Sequence, residues 1–433
     1  MKRKLWKKQP GAKTRLAATG VCLGVIATGA LPVHAQTATD AKTIAALEKQ
    51  NQLLQQQLDI LKSMAAKEGL LPGKTDPPVG AMTPVSLSGF VQASYFYNVD
   101  RPPGGYNAGY LWNTRDNSFS LNRVKITLAS PPAKRSGTDW DAGYRVSLMA
   151  GENAPELNSG SGTTGFDYLR EAYVDLNVPI GSGLNVKAGE LISLLNFESG
   201  DGGAANPNFS QGYQWWYTGN GPSAGIQLDY AFTDWLDVKF RVDNGLYAGP
   251  VSSSNGKGFM GSIGLTPDSK TWIDLVGFGG EGQKTLDVDG GSILGGRQVT
   301  DKLGTAFEFD YFDFRPDGGS AKVLWSIGGW AWYDFTPEIG IAFRADYLDD
   351  KDGYGIKGGP IPAPGGTAAT TAIGFASPET HGTLDSFTLT LNLKPTPNVK
   401  IQPEIRYDTT SYTDGFNGKD SQLILGCGAT YLF

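Results

Sequence analysis

Acidic and basic residues recur two positions apart in several stretches of this chain. Arg344 precedes Asp346 at this spacing, and Glu404, Arg406 and Asp408 follow one another in the same way. A spacing of two places side chains on one face of a β-strand, where they meet the charges of neighbouring strands. Opposed acids and bases on such a face create a field that favours polar, oriented solutes over apolar ones. The spacing therefore predicts electrostatic selection rather than covalent chemistry.

Residues suited to catalysis, metal binding or nucleotide binding are scarce. His381 has no Ser partner nearby in the sequence, as hydrolytic barrels commonly require. Residues 277–282 match G-x-G-x-x-G, but they end a strand and open a loop, with no helix to receive a pyrophosphate. Residues 350–353 resemble the start of a calcium loop, yet Ile361 stands where a bidentate acid is needed, which leaves room only for loose surface calcium. We predict no catalytic residues, no metal site and no cofactor; the chain is not expected to be an enzyme.

The N-terminus has the features of an export signal. Seven Lys and Arg within residues 1–15 precede an apolar stretch and a small-residue site that ends at Ala35. Cleavage after Ala35 would change the net charge from −6 to −13, which argues against nucleic acid as a partner. It would also remove Cys22 and leave Cys427 alone, so no disulfide can form within the mature chain.

Residues 36–70 carry a heptad pattern that predicts a periplasmic coiled coil. An Asn at one core position fixes the register of such a helix at some cost in stability. The apolar seam is too narrow to pack on a broad core, so self-association into a homotrimer is favoured over a single amphipathic helix lying on the remainder of the protein. Residues 71–84 are rich in Pro and Gly and predict a linker. The seam consists of Ile44, Leu47, Asn51, Leu54, Leu58, Leu61 and Ala65.

Residues 85–433 alternate between apolar and polar side chains in segments of about ten residues. After the signal, no apolar run approaches the roughly 20 residues of a membrane helix, so a membrane location requires a closed barrel. A soluble β-sandwich would show the same alternation. Three features favour the transmembrane barrel over the sandwich. The connections are either tight or long, aromatic residues lie near strand ends, and the chain ends in Phe433. We count fifteen clear strands and add a weak one at 292–299, which predicts an all-β antiparallel barrel of 16 strands.

Three stretches of the chain are similar to those of one known family: residues 343–353, residues 403–408, and residues 186–190 followed by a long loop rich in Asn and Gly. The resemblance extends from Phe119 to Phe433 and is to the OmpL-like family of β-barrel porins. It implies a passive outer-membrane channel and implies nothing specific about the solute. The N-terminal coiled coil is not a general feature of that family. Some sugar-specific porins have a similar layout, which keeps a carbohydrate channel open as an alternative.

A barrel of this size encloses a water-filled lumen whose selectivity depends on its inward side chains. Any single one of these residues could equally be a solvated, paired side chain, so the prediction rests on the set. From the phase of the strands we place on the inner face Arg123, Lys125, Arg145, Glu171, Asp175, Lys187, Lys239, Arg241, Asp243, Glu308, Asp310, Arg344, Asp346, Lys400, Glu404, Arg406 and Asp408.

The loop at 196–222 is the best candidate for a constriction. It carries Glu198, Asp201, Trp215 and Trp216, and the paired Trp residues fit an outer girdle equally well. We expect outer-membrane lipid and small hydrophilic solutes as partners, and the acidic net charge suggests a mild preference for cations. An alternative is a structural tether, in which the coiled coil binds the cell wall and the barrel only anchors it.

Overall fold

The computed structural model describes residues 85–109, 113–158, 165–252, 254–354 and 381–433. They form a closed antiparallel barrel in which each strand pairs with its neighbours in sequence and β1 pairs with β16. The prediction of 16 strands is confirmed. The strands are β1 (Ser86–Asn98), β2 (Ser118–Ala129), β3 (Asp141–Ala150), β4 (Leu169–Val178), β5 (Leu184–Leu191), β6 (Ser223–Thr233), β7 (Leu236–Asp243), β8 (Gly258–Asp268), β9 (Thr271–Gln283), β10 (Leu286–Gln298), β11 (Leu303–Pro316), β12 (Lys322–Asp334), β13 (Ile339–Asp350), β14 (Gly382–Thr396), β15 (Val399–Thr410) and β16 (Ser421–Leu432).

Alternation within the strands separates an apolar outer face from a largely polar inner face. On β14, Phe387 and Leu389 are each 44% exposed, whereas Ser386, Thr388 and Thr390 are buried. Outward apolar side chains have no protein partner to cover them, which is the arrangement of a barrel surrounded by lipid. Closure of the sheet excludes the β-sandwich.

Connections differ in length between the two rims. The turn rim, near Ser86 and Phe433, carries residues 130–140, 179–183, 234–235, 269–270, 299–302, 335–338 and 397–398. The loop rim carries residues 99–117, 151–168, 192–222, 244–257, 284–285, 317–321, 351–381 and 411–420. Short connections therefore lie mainly on one rim and long ones on the other, as in a transmembrane barrel, with two departures: the longer turn at 130–140 and the tight connection at 284–285.

The weak strand predicted at 292–299 is longer than its sequence pattern indicated. β10 begins at Leu286, and four of its residues are glycines, at 290, 291, 295 and 296. Glycines hide alternation because they present no side chain to either face. One of them is required by packing, since a Cβ at Gly296 would lie 2.6 Å from the indole nitrogen of Trp272.

The barrel interior also contains an apolar cluster near the loop rim, which the alternation did not predict. Inward residues of β8 to β14, such as Val276, Phe312 and Leu348, pack there against Tyr213 and Leu246 from the loops. The lumen is therefore partly filled at this end. Among the aromatic residues near strand ends, Phe96 on β1 and Trp330 on β12 are also buried on the inner face, so neither lies in an outer girdle.

In the described parts of the loop-rim connections there are two short α-helices: α1 (Ala154–Leu157) and α2 (Tyr213–Tyr217). Within the described residues, no helix is both long and apolar enough to cross a membrane. The predicted signal peptide, coiled coil and linker lie outside the described residues.

Candidate pore and its inner segment

Residues 196–222, the inner segment, occupy the barrel interior. The segment forms hydrogen bonds to β2 and to β11 through β15, and it packs on β16. Nine of the predicted inner-face residues contact it directly: Arg123, Lys125, Glu308, Asp310, Arg344, Asp346, Lys400, Glu404 and Arg406. The charges of this part of the wall therefore hold a loop.

Carboxylates of the wall accept hydrogen bonds from backbone amides of the inner segment. Glu308 accepts from the Phe197 amide at 2.7 Å. Glu404 accepts from the amides of residues 209 and 210 at 2.9 and 3.3 Å. Asp346 accepts from the first two amides of α2, at 2.8 and 3.3 Å. Because this buried loop has little regular secondary structure, its amides depend on such side chains for partners.

Basic residues of the wall donate to carbonyls of the same segment. The Lys400 ammonium donates to the carbonyls of residues 203 and 206 at 2.9 and 2.7 Å. Arg406 donates to the Gln211 carbonyl at 2.7 Å, and Arg344 donates to the Ser210 carbonyl at 2.6 Å. Acids thus satisfy the amides of the segment and bases satisfy its carbonyls. Charge-assisted bonds of this kind are stronger than neutral ones.

A fully buried ion-pair group lies at the centre of these contacts. The Arg344 guanidinium lies 2.8 Å from a Glu198 carboxylate oxygen and 3.2 Å from Asp346. The other Glu198 oxygen accepts from the Gly212 amide at 2.7 Å. Burial raises the pKa of the Glu198 carboxyl, although Arg344 and the Gly212 amide oppose the shift. Removing one partner would leave a buried charge uncompensated.

A second ion pair fixes the early part of the segment. The Lys125 ammonium lies 2.8 Å from Asp201, and both side chains are largely buried. Of the acids predicted in the constriction loop, Glu198 and Asp201 therefore both pair with bases of the barrel wall.

Phe209 packs the inner segment against β16. Its ring lies 5.8 Å from that of Phe96 and rests on the backbone of Gly428, where a Cβ would come within 2.0 Å of ring carbons. A glycine is therefore required at position 428 for the ring to approach the strand. Sequence reasoning did not single out either residue.

Trp215 and Trp216 lie inside the barrel, half-buried and 6.5 Å apart. Both pack against the cluster of Phe96, Phe209 and Ile424. They also line a cavity of about 230 Å³ together with Arg170 and Glu198. Of the two alternatives for this pair, the structure favours the interior over an outer girdle.

The wall from β3 to β8, the open wall, lies away from these anchors. Its acids have partners within the wall: Glu171 pairs with Arg145 at 2.6 Å, and Asp243 accepts from the Gly245 amide at 2.9 Å. Asp175 accepts from the Ala133 amide at 3.1 Å and from Asn185.

The bases of the open wall remain more accessible. Arg145, Lys187 and Lys239 are half-buried. The Lys187 ammonium lies 5.1 Å from the centroid of the Tyr173 ring. Arg241 differs, since it is buried and donates to Gln227 at 2.7 Å. The described charges that reach the remaining lumen are therefore concentrated on this side.

Several inner-face residues were not predicted. Asp229, Asp237 and Asp274 face the lumen on β6, β7 and β9, and Arg135 reaches Asp229 from a turn at 2.7 Å. The phase of their strands would have found the three acids, because each lies an even number of residues from a charged or buried inward position. Gln214, which donates to Asp310 at 2.8 Å, gave no signal in the sequence.

A family model described as "Putative beta-barrel porin-2, OmpL-like" matches residues 84–433. The chain belongs to this OmpL-like porin family. It is an outer-membrane porin, a passive diffusion channel for small hydrophilic solutes and ions through the lumen of its 16-stranded barrel. No curated protein sequence matches the chain.

Solved porin structures share the fold of this porin at low sequence identity. An anion-selective porin from Comamonas acidovorans is 12% identical, with a TM-score of 0.52 over 81% of this chain and 99% of that one. The outer-membrane channel DcaP of Acinetobacter baumannii is 15% identical, with a TM-score of 0.50 over 81% and 97%. OmpT of Vibrio cholerae, in its trimer form, is 10% identical, with a TM-score of 0.52 over 81% and 99%. At these identities the likeness concerns the fold alone.

Proposed function

We propose that the inner segment is the constriction of this porin, and that solutes pass between it and the open wall. The observation that carries the proposal is the anchoring of the segment by nine charged residues of the barrel wall. A loop held at this many points is rigid enough to set the bore. Ions would then meet Arg145, Lys187 and Lys239 on one side and the surface of the segment on the other.

The chain acts as a channel without catalysis in this proposal. His381 is exposed, and its ring nitrogen lies 3.1 Å from the carboxylate of Asp349, so its recorded partner among the described residues is an acid and not a hydroxyl group. The pore chemistry consists of steric exclusion and electrostatics. Whole-channel selectivity for cations, predicted from the acidic net charge, remains part of the proposal.

The assembly we propose is a homotrimer, joined through the coiled coil at 36–70 in the periplasm after removal of the signal at 1–35. The heptad seam of the sequence supports it. Lipid of the outer membrane would surround the outward apolar residues of the barrel.

Conductance of the refolded mature protein in planar bilayers tests these proposals. We expect stable steps that arrive in threes and a bore that widens when the inner segment is detached. Conductance steps that occur singly would contradict the trimer. Absence of conductance from a barrel shown to be folded would contradict the diffusion channel and favour a tether.

A further inference from the structure

We propose that this porin binds carbohydrate rings on an aromatic platform inside the lumen. The platform consists of Phe197 from the inner segment, Trp272 from β9, and Trp330 and Trp332 from β12. The inference rests on the proposed channel and adds to it a class of solute. Nothing in the passive exchange of ions requires such a surface.

Phe197 lies close to the other three rings of the platform and is nearly parallel to two of them. Phe197 lies 6.3 Å from Trp272 and 6.1 Å from Trp332, and both indoles are within 15° of its plane. Trp330 adds a tilted contact at 4.8 Å. Phe197, Trp272 and Trp332 are all half-buried, so each keeps part of its surface accessible. Trp330 is buried and supports the others.

Glycines of the wall allow the indoles to lie flat. A Cβ at Gly304 would lie 2.2 Å from Trp332, and a Cβ at Gly296 would lie 2.6 Å from Trp272. Both glycines pair directly with these residues across the sheet. The indoles therefore rest on bare backbone instead of standing into the lumen, which leaves an aromatic surface along the wall.

Polar groups border the platform on the side of the open wall. The carboxylates of Asp237 and Asp274 converge over Gly264, whose Cβ would lie 2.4 and 3.0 Å from their oxygens. The Lys239 ammonium lies 2.7 Å from Asp237. Asp274 follows Trp272 by two residues on the same face of β9, a spacing of about 7 Å. The two carboxylates and the ammonium are thus close enough to the rings for one small solute to contact both.

This combination fits a pyranose ring better than other small hydrophilic solutes. A pyranose has a flat face of C–H groups, which can lie on an aromatic ring, and a rim of hydroxyl groups. Carboxylates accept hydrogen bonds from those hydroxyls, and the ammonium donates to their oxygens. Simple ions gain nothing from the rings, and apolar solutes would leave the carboxylates without partners.

The test measures block of the ion current by linear glucose oligosaccharides in planar bilayers, with polyethylene glycol of matched size as the probe of pore volume. We expect saturable block by the sugars and a weaker, unsaturable effect of the polymer. Trp332→Ala and Trp272→Ala should each weaken the sugar block about fivefold, since loss of one aromatic contact is worth about 1 kcal/mol. Trp332→Phe should retain part of it.

Tyr173→Ala is the matched control. Tyr173 is also a half-buried aromatic residue of the inner face, and its strand β4 is eight positions from β12 around the barrel. This variant should keep the sugar block of the wild type. Asp274→Asn should weaken the block without altering the effect of the polymer.

Two results would overturn the proposal. In the first, sugar and polymer of equal size reduce the wild-type current equally; in the second, the Trp variants are blocked as strongly as wild type. In both cases ion conductance would persist, so the channel itself would stand. Loss of all conductance from folded wild-type protein would instead contradict the diffusion channel.

Discussion

The two sides of the barrel wall carry similar charges and use them differently. On β11 to β16, Glu308, Asp346 and Glu404 are buried beneath the inner segment and hold its amides. On the open wall, Arg145 and Lys187 remain half-exposed to the lumen. An alternating charge in a porin strand therefore identifies the inner face, but it does not distinguish an anchor from a residue that meets solutes.

The difference follows from what each wall faces. A loop that enters a barrel brings polar backbone groups with few partners of its own, so the wall beneath it must supply them. The open wall faces water, so its side chains do not have to provide hydrogen-bond partners for a loop. Charges on one side therefore serve structure first, and charges on the other are available for electrostatics.

Removing two anchors should produce the largest effect. In Asp346→Ala/Glu404→Ala the amides of residues 209, 210, 213 and 214 lose their acceptors, at about 1–3 kcal/mol for each group left unsatisfied. We expect the inner segment to detach and the single-channel conductance to rise severalfold.

Glu171→Ala/Asp175→Ala is the matched control for this variant, because it removes the same charge from the open wall. It should keep a conductance close to that of wild type. Equal conductance changes in the two double variants would show that the two walls do not differ as described.

A larger side chain at position 428 tests the part of the anchoring of the inner segment that depends on packing and not on charge. In Gly428→Val the added atoms overlap the Phe209 ring, and overpacking typically costs about 1–3 kcal/mol. We expect a lower melting temperature and a noisier, larger current. Gly277→Val is the control, since a Cβ at that outward glycine meets nothing within 4 Å. Similar currents from the two variants would argue against the role of Phe209.

Charge neutralisation on the open wall should change selectivity without changing the bore. In Arg145→Gln/Lys187→Gln we expect the reversal potential in a salt gradient to move toward cations, because two accessible bases are lost. Lys134→Gln/Lys302→Gln removes two exposed bases from the turn rim and should produce a smaller shift. The idea fails if the turn-rim pair has the larger effect.

The smallest expected effect concerns pH. Burial raises the pKa of Glu198 above its usual value, so the folded protein binds this proton more tightly than the unfolded chain. The contribution of Glu198 to the free energy of unfolding therefore increases as the pH falls through the raised pKa. It stops increasing once this carboxyl is also protonated in the unfolded chain. The melting temperatures of wild type and Glu198→Gln are measured at pH 7 and at pH 5. Between pH 7 and pH 5, the melting temperature of wild type should rise relative to that of the variant. A relative loss would contradict the sign.

The strands could be predicted from the sequence because lipid outside and polar groups inside impose a period of two. Where glycine replaces side chains, as in β10, that signal weakens and the strand was predicted too short. The alternation predicts strands at 184–194 and 236–248, but β5 ends at Leu191 and β7 ends at Asp243, where the chain turns into loops with apolar residues. The period-two pattern of the sequence does not show at which residue the pairing of a strand with its neighbours ends.

The site was predictable in part. The phase of the strands identifies which residues face inward, and the length of the connection at 196–222 suggested an inward loop. Which wall the loop covers depends on contacts between residues far apart in sequence, such as Glu198 with Arg344. The aromatic platform was missed because Trp330 and Trp332 resemble interfacial aromatics until the direction of each ring is known.

The anchors of the inner segment also determine when it can take its place during assembly. Lys400 and Arg406, which hold residues 203 and 211, follow them by 197 and 195 positions in the chain. Contacts over such separations form late in folding, because the ends of a long loop must first come together. We therefore expect the nascent barrel to pass through a wide-bore intermediate, which narrows only once the last strands have joined.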